Sequence, residues 1–80
     1  MAETTYLRYI RQKCGITLME LEEHSSFSNQ YLRLLELGRA NCTPRNAETL
    51  DRAMLDIILS RAEELMKLAQ ICYEHKGHLL

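Results

Sequence analysis

The run Ser28-Asn29-Gln30-Tyr31-Leu32-Arg33, with Arg39 six residues further on, carries side chains that could read a nucleic acid. An amide such as Asn29 or Gln30 can hold an adenine edge through two hydrogen bonds, and Arg33, one helical turn on, can reach a guanine edge or a phosphate. Ser28 caps the start of this helix, and the free N–H groups of a helix start attract phosphate. Arg45 is a weaker candidate. Tyr31 could stack or bond a phosphate, and fits a tyrosine at the edge of a core equally well. On polarity alone, Asn29, Gln30 and Arg33 read as a solvated helix face.

Other chemistries find less support. Cys72, His75 and His78 are metal-ligand types at close spacing. A metal site needs three or four converging ligands, and the tail is expected to fray after Gly77, so neither metal nor other cofactor is expected. His24 reads as a helix-end residue. There is no Ser-His-Asp set, no pair of carboxylates with an obvious pocket and no glycine-rich phosphate loop, so an enzyme is not expected.

Eighty residues make one small domain, whose modest core often leans on a partner subunit. The composition, 46% hydrophobic and 26% charged, is that of an ordinary globular protein. Three cysteines, Cys14, Cys42 and Cys72, form no repeated pattern, and no secretory leader is evident, which points to free thiols in a reducing cytoplasm. No apolar run is long enough to span a membrane. The net charge of −1 does not favour nucleic acid, but it is unevenly spread. Residues 1–46 carry six bases against five acids; residues 47–80 carry four bases against six acids.

The punctuation predicts an all-α chain, with one proline and three glycines in total. A first helix is expected over about Thr5 to Cys14, with Leu7, Ile10 and Cys14 on one face and Gly15 as its left-handed stop. Thr17 and Glu20 have the spacing of a reciprocal capping box that opens a second helix, with Leu18 and Leu21 on its apolar side. Ser25 and Ser26 end it, Phe27 anchors the turn, Ser28 caps a third helix with Leu32 and Leu35 inward, and Gly38 stops it. Pro44 fits only a helix start, with Thr43 or Asn46 as cap. The turn from Ser25 to Phe27 is so short that the third helix must cross the second with its N-terminal end exposed, the geometry that enters a DNA major groove.

At these residues the chain resembles the Cro/C1-type (XRE-like) helix-turn-helix family of phage and bacterial repressors. The matching pattern is LRYIRQKCGIT, then Leu21, Phe27-Ser28 and YLRLLELGR, over roughly residues 6–54. The resemblance implies a lambda-repressor-like fold of four to five helices, here with an extended C-terminal helix, its helix-turn-helix DNA-binding domain covering residues 1–54. It implies base contact by Gln30, backbone contact by Arg39, and an ion pair between Arg11 and Glu36 that ties the first helix to the end of the third. Three positions differ from the family pattern: Leu18 where Gln is usual, Glu22 where Ala is usual and Leu34 where a polar residue is frequent. Glu22 predicts either a wider crossing of the second and third helices or a side chain bent out to solvent.

Residues 55–80 have no counterpart in the minimal family domain and form a C-terminal helical extension. A fourth helix from Ala47 to Lys76 would be about 45 Å long. Leu55, Ile58, Ala62, Leu65, Ala69 and Cys72 alternate in steps of three and four, the seam of a coiled coil. Leu50, Met54, Ile57, Leu68 and Ile71 widen the apolar face. Part of it should pack on the N-terminal domain and part on a second copy; the alternative is a break near Ser60 and a fifth helix folding back.

The expectation is a cytoplasmic, bacterial or phage-encoded DNA-binding regulator. It would act as a repressor, a homodimer occupying a pseudo-palindromic operator whose half-sites lie about 34 Å apart. The competing class is a helical protein-interaction module, or an antitoxin-like protein, with weak or lost DNA binding and a protein partner on the C-terminal helix. Leu18, Leu34 and the acidic balance favour the second; Gln30, Arg33 and Arg39 favour the first.

Overall fold

The computed structural model describes residues 5–80, so the first four residues of the expected 1–54 unit lie outside the described residues. Four helices follow in order: α1 (Tyr6–Cys14), α2 (Leu18–Ser25), α3 (Asn29–Glu36) and α4 (Pro44–Glu74). Among the described residues there is no strand and no fifth helix. None of the helices is long and apolar enough to cross a membrane.

Each start is set by a hydroxyl. Thr5, Thr17, Ser28 and Thr43 hold extended backbone, and their side-chain oxygens accept from the N–H groups of Arg8, Glu20, Tyr31 and Asn46. These bonds satisfy donors that the helix itself leaves orphaned. Pro44 opens the last helix, where its missing N–H costs nothing. That helix therefore starts three residues before the expected Ala47, and it runs without a break past Ser60.

The ends follow the same local logic. At the end of α1, Gly15 is left-handed (φ 66°), and the N–H groups of Gly15 and Ile16 return to the carbonyls of Gln12 and Arg11. Gly38 (φ 70°) ends α3 in the same way, with Arg39 donating to the Leu34 carbonyl. α2 ends at Ser26, a left-handed residue that is not glycine, and Phe27 is then held by a bond from its N–H to the Ser25 hydroxyl.

The core is small and continuous. Ile16, Leu21 and Leu32 from the first three helices meet Ala53, Met54 and Ile57 of α4, with Leu7, Cys14, Leu18, Phe27, Leu50 and Ile58 around them. Packing onto α4 thus continues beyond residue 54. One further turn on, Arg61 donates to the Cys14 carbonyl and to the Glu20 carboxylate. It caps the end of α1 and grips the start of α2. Glu20 is therefore not the reciprocal member of a capping box: the Thr17 hydroxyl accepts its N–H, but its carboxylate turns to the charged donor on α4. From Ala62 to Glu74 every residue of α4 is exposed.

Candidate nucleic-acid interface

The third helix is held from three sides. Its buried residue Leu32 enters the core, and Glu36 at its last turn is buried too. Arg11 meets Glu36 with two parallel bonds, Nε to Oε2 at 2.6 Å and Nη2 to Oε1 at 3.0 Å, and its remaining Nη1 donates to the Ile16 carbonyl at 3.0 Å. The side chains are 15% and 5% exposed, so the pair sits in a largely dry joint between α1, the α1–α2 turn and α3. The resulting forked geometry fixes the end of α3 in direction as well as distance.

The start of α3 is fixed from α2. The Glu22 carboxylate accepts the backbone N–H of Asn29, the first residue of α3. Glu22 is half-buried, and its carboxylate turns to the start of α3 and not out to solvent. With Ser28 taking the Tyr31 N–H, two of the free donors expected to receive a phosphate are already used.

The outer face of α3 is then defined by spacing. Gln30, Arg33 and Leu37 follow one another at i, i+3 and i+7, and all three are exposed. Arg33 borders a shallow depression with Arg8, Arg11, Leu18, Glu36 and Leu37. Asn29 and Leu34 are half-buried at the sides of this face. Arg39 is exposed just beyond Gly38, and Arg45 is exposed in the first turn of α4.

Tyr31 faces inward instead. Its ring packs edge-on against Phe27 with centroids 5.3 Å apart. Its hydroxyl donates to the Asn41 carbonyl at 3.0 Å and accepts from Asn46 Nδ2 at 3.1 Å. The single hydroxyl proton goes to the loop between α3 and α4, so Tyr31 braces that loop.

Charge in the N-terminal half differs from the net charge of the chain. Residues 5–46 hold six bases and four acids. Two of the acids, Glu36 and Glu20, are paired with Arg11 and Arg61. Among the described residues, Arg8, Lys13, Arg33, Arg39 and Arg45 make no ion pair, leaving five unpaired bases against Glu22 and Glu23. Lys13 lies over the Tyr9 ring, 5.7 Å from its centroid. The acidic excess of the chain lies in residues 47–80, most of them in α4.

The expected seam is split by the fold. Ile58 is half-buried against the core, whereas Leu55, Ala62, Leu65, Ala69 and Cys72 are exposed. All three cysteines are free thiols. His75 and His78 follow the end of α4, and the described residues contain no group of three or more His, Cys, Asp or Glu able to hold a metal.

Sequence spacing singled out Ser28, Asn29, Gln30, Arg33 and Arg39 but missed Glu22 and Arg61 as positioning residues. The signals for Glu22 were its place at the helix crossing, which the resemblance implies, and its position one helical turn before the end of α2 and seven residues before the start of α3. No known family model matches this chain, and neither a curated protein nor a solved structure is similar to it.

Proposed function

We propose that this protein is a DNA-binding transcriptional regulator of the Cro/C1 type, a cytoplasmic repressor of bacterial or phage origin. Its α3 would enter the major groove, and a homodimer would occupy a pseudo-palindromic site. The observation that carries the reading is the outer face of α3. Gln30 and Arg33 stand exposed one turn apart on a helix clamped at its start by Glu22 and at its end by Arg11. A reader must hold its contacting side chains in place, and this helix is tied at both ends. Gln30 would pair with an adenine, Arg33 with a guanine or a phosphate, and Asn29 would assist from the groove edge. Arg39, Arg8 and Arg45 would contact phosphates, adding affinity without sequence.

A second reading is favoured by one observation. Glu22 places an acid at the start of α3, and Leu37, 47% exposed, lies on the same face as Gln30 and Arg33. Those features suit a protein partner, as in an interaction module or an antitoxin-like protein. Selection of a random DNA pool with the purified full chain separates the two. A recovered inverted repeat with strong salt dependence is the outcome expected of a DNA reader. A pool that stays random at low salt would overturn the DNA reading.

A further inference from the structure

We propose that two copies of this chain pair along α4, from Leu55 to Cys72, in an antiparallel sense, in the register that sets Leu55 of one copy against Cys72 of the other. The pairing stands on the packing of α4; its value for function rests on the DNA reading above.

The seam positions form two sets of three, seven residues apart within each: Leu55, Ala62 and Ala69, and Ile58, Leu65 and Cys72. In an antiparallel pair each layer takes one residue from each set. The layers are then Leu55 with Cys72, Ala62 with Leu65, and Ala69 with Ile58, so every layer joins a small side chain to a large one. A parallel pair would stack Leu65 on Leu65 and Ala69 on Ala69, alternating crowding with gaps, which close packing disfavours. The same register brings Lys76 of one copy level with Asp51 of the other at each end of the seam, where a parallel pair would align like charges. Both residues are exposed, and neither is paired within its own chain among the described residues.

Apolar side chains on and beside the seam are open to a partner. Leu55, Leu59, Leu65, Met66 and Tyr73 are between 56% and 80% exposed. Leu68 is 50% exposed beside the seam, and Ile71, equally exposed, lies on the side of α4 turned away from it. A groove between α1 and α4, lined by Tyr6, Ile10, Leu50, Met54, Leu55 and Ile58, opens beside the seam where the C-terminal end of the other copy would run.

Orientation follows from the angular positions. At about 100° per residue, the seam is centred roughly a quarter-turn round α4 from the face formed by Ala53, Met54 and Ile57. In an antiparallel pair the two-fold axis stands perpendicular to the plane of the two helices. Both N-terminal domains then lie on the same side of the pair, displaced along it. A parallel pair has its axis along the helices and would send the two domains to opposite sides. The antiparallel register separates the two Ala53 levels by about 30 Å at 1.5 Å per residue, close to one turn of duplex DNA.

Cysteine cross-linking with a short bismaleimide tests the register in the full chain, in a C14A/C42S background and without DNA. That background, with Cys72 alone, should give no covalent dimer, because the two Cys72 positions are about 25 Å apart along the pair. Adding L55C should convert most of the chain to a species of twice the mass, and L55C with C72S should again give none. Covalent dimer from Cys72 alone, or from L55C with C72S, would overturn the antiparallel register. So would a wild-type chain that sediments as a monomer at tens of micromolar, or an L55C chain with Cys72 that sediments as a dimer but does not cross-link. A cross-linked dimer that leaves a random DNA pool random would support this pairing while removing the DNA reading.

Discussion

The Glu22 carboxylate accepts the backbone N–H of Asn29, so the last turn of α2 supplies an acid to the first turn of α3. This contact fixes the crossing of the two helices and puts a negative charge at the end of α3 that would approach a phosphate. In a DNA reader, one side chain would then both fix the reading helix and weaken its grip.

Glu22→Gln therefore separates the two effects. Its amide oxygen can still accept from Asn29, so the fold should hold. Removing the charge should raise DNA affinity three- to tenfold, about 1 kcal/mol, in fluorescence anisotropy at fixed salt. Affinity that stays level or falls would mean that this end of α3 does not meet the phosphate backbone.

The exposed pair on α3 supplies the next test. Gln30→Ala and Arg33→Ala should each weaken binding to the selected site by about 1–3 kcal/mol and relax preference at the base each one contacts. Neither side chain supports the core, so melting curves should coincide with wild type. A double variant that keeps full affinity in a gel-shift assay would remove α3 as the reader.

Tyr31→Phe distinguishes a loop brace from a DNA contact. Losing the hydroxyl leaves the Asn41 carbonyl and Asn46 amide without their shared partner, at a cost of about 1 kcal/mol. Chemical denaturation should register that loss, while DNA affinity of the folded chain stays within twofold. A large loss of affinity at unchanged stability would return Tyr31 to the DNA-facing surface.

Glu36→Gln should be far more damaging to stability. It leaves the Arg11 guanidinium largely buried without its counter-charge, an effect on the order of 3 kcal/mol. For a domain of this size that lowers the melting temperature by roughly 10–20 °C. A shift of only a degree or two would assign the pair the small value of a surface ion pair.

What the sequence made legible is what neighbouring residues decide. Thr17, Ser28 and Thr43 act on N–H groups three residues ahead, and Gly15 and Gly38 act on carbonyls just behind, so helix starts and stops could be read from spacing. Long-range side-chain pairings could not. Glu20 has the spacing of a capping box, yet Arg61, forty-one residues away, takes its carboxylate. Tyr31 stood open between surface and core until Asn41 and Asn46 closed on its hydroxyl. The amides of the outer face were legible as types, but only the fold brings Gln30 and Arg33 onto an exposed face while holding Asn29 half-buried.

The uninterrupted α4 makes phase a property of the whole molecule. No glycine or proline lies between Arg45 and Lys76, so the helix has no residue suited to absorbing a change of length. One residue inserted between Arg61 and Leu65 would turn everything beyond it by about 100° and carry it about 1.5 Å further from the core. The exposed apolar stripe would then point in a new direction relative to the N-terminal core, although every contact of that core survived. An insertion of seven would nearly restore the angle and lengthen the arm by about 10 Å. Length changes in this segment should therefore be tolerated periodically, as on a screw thread.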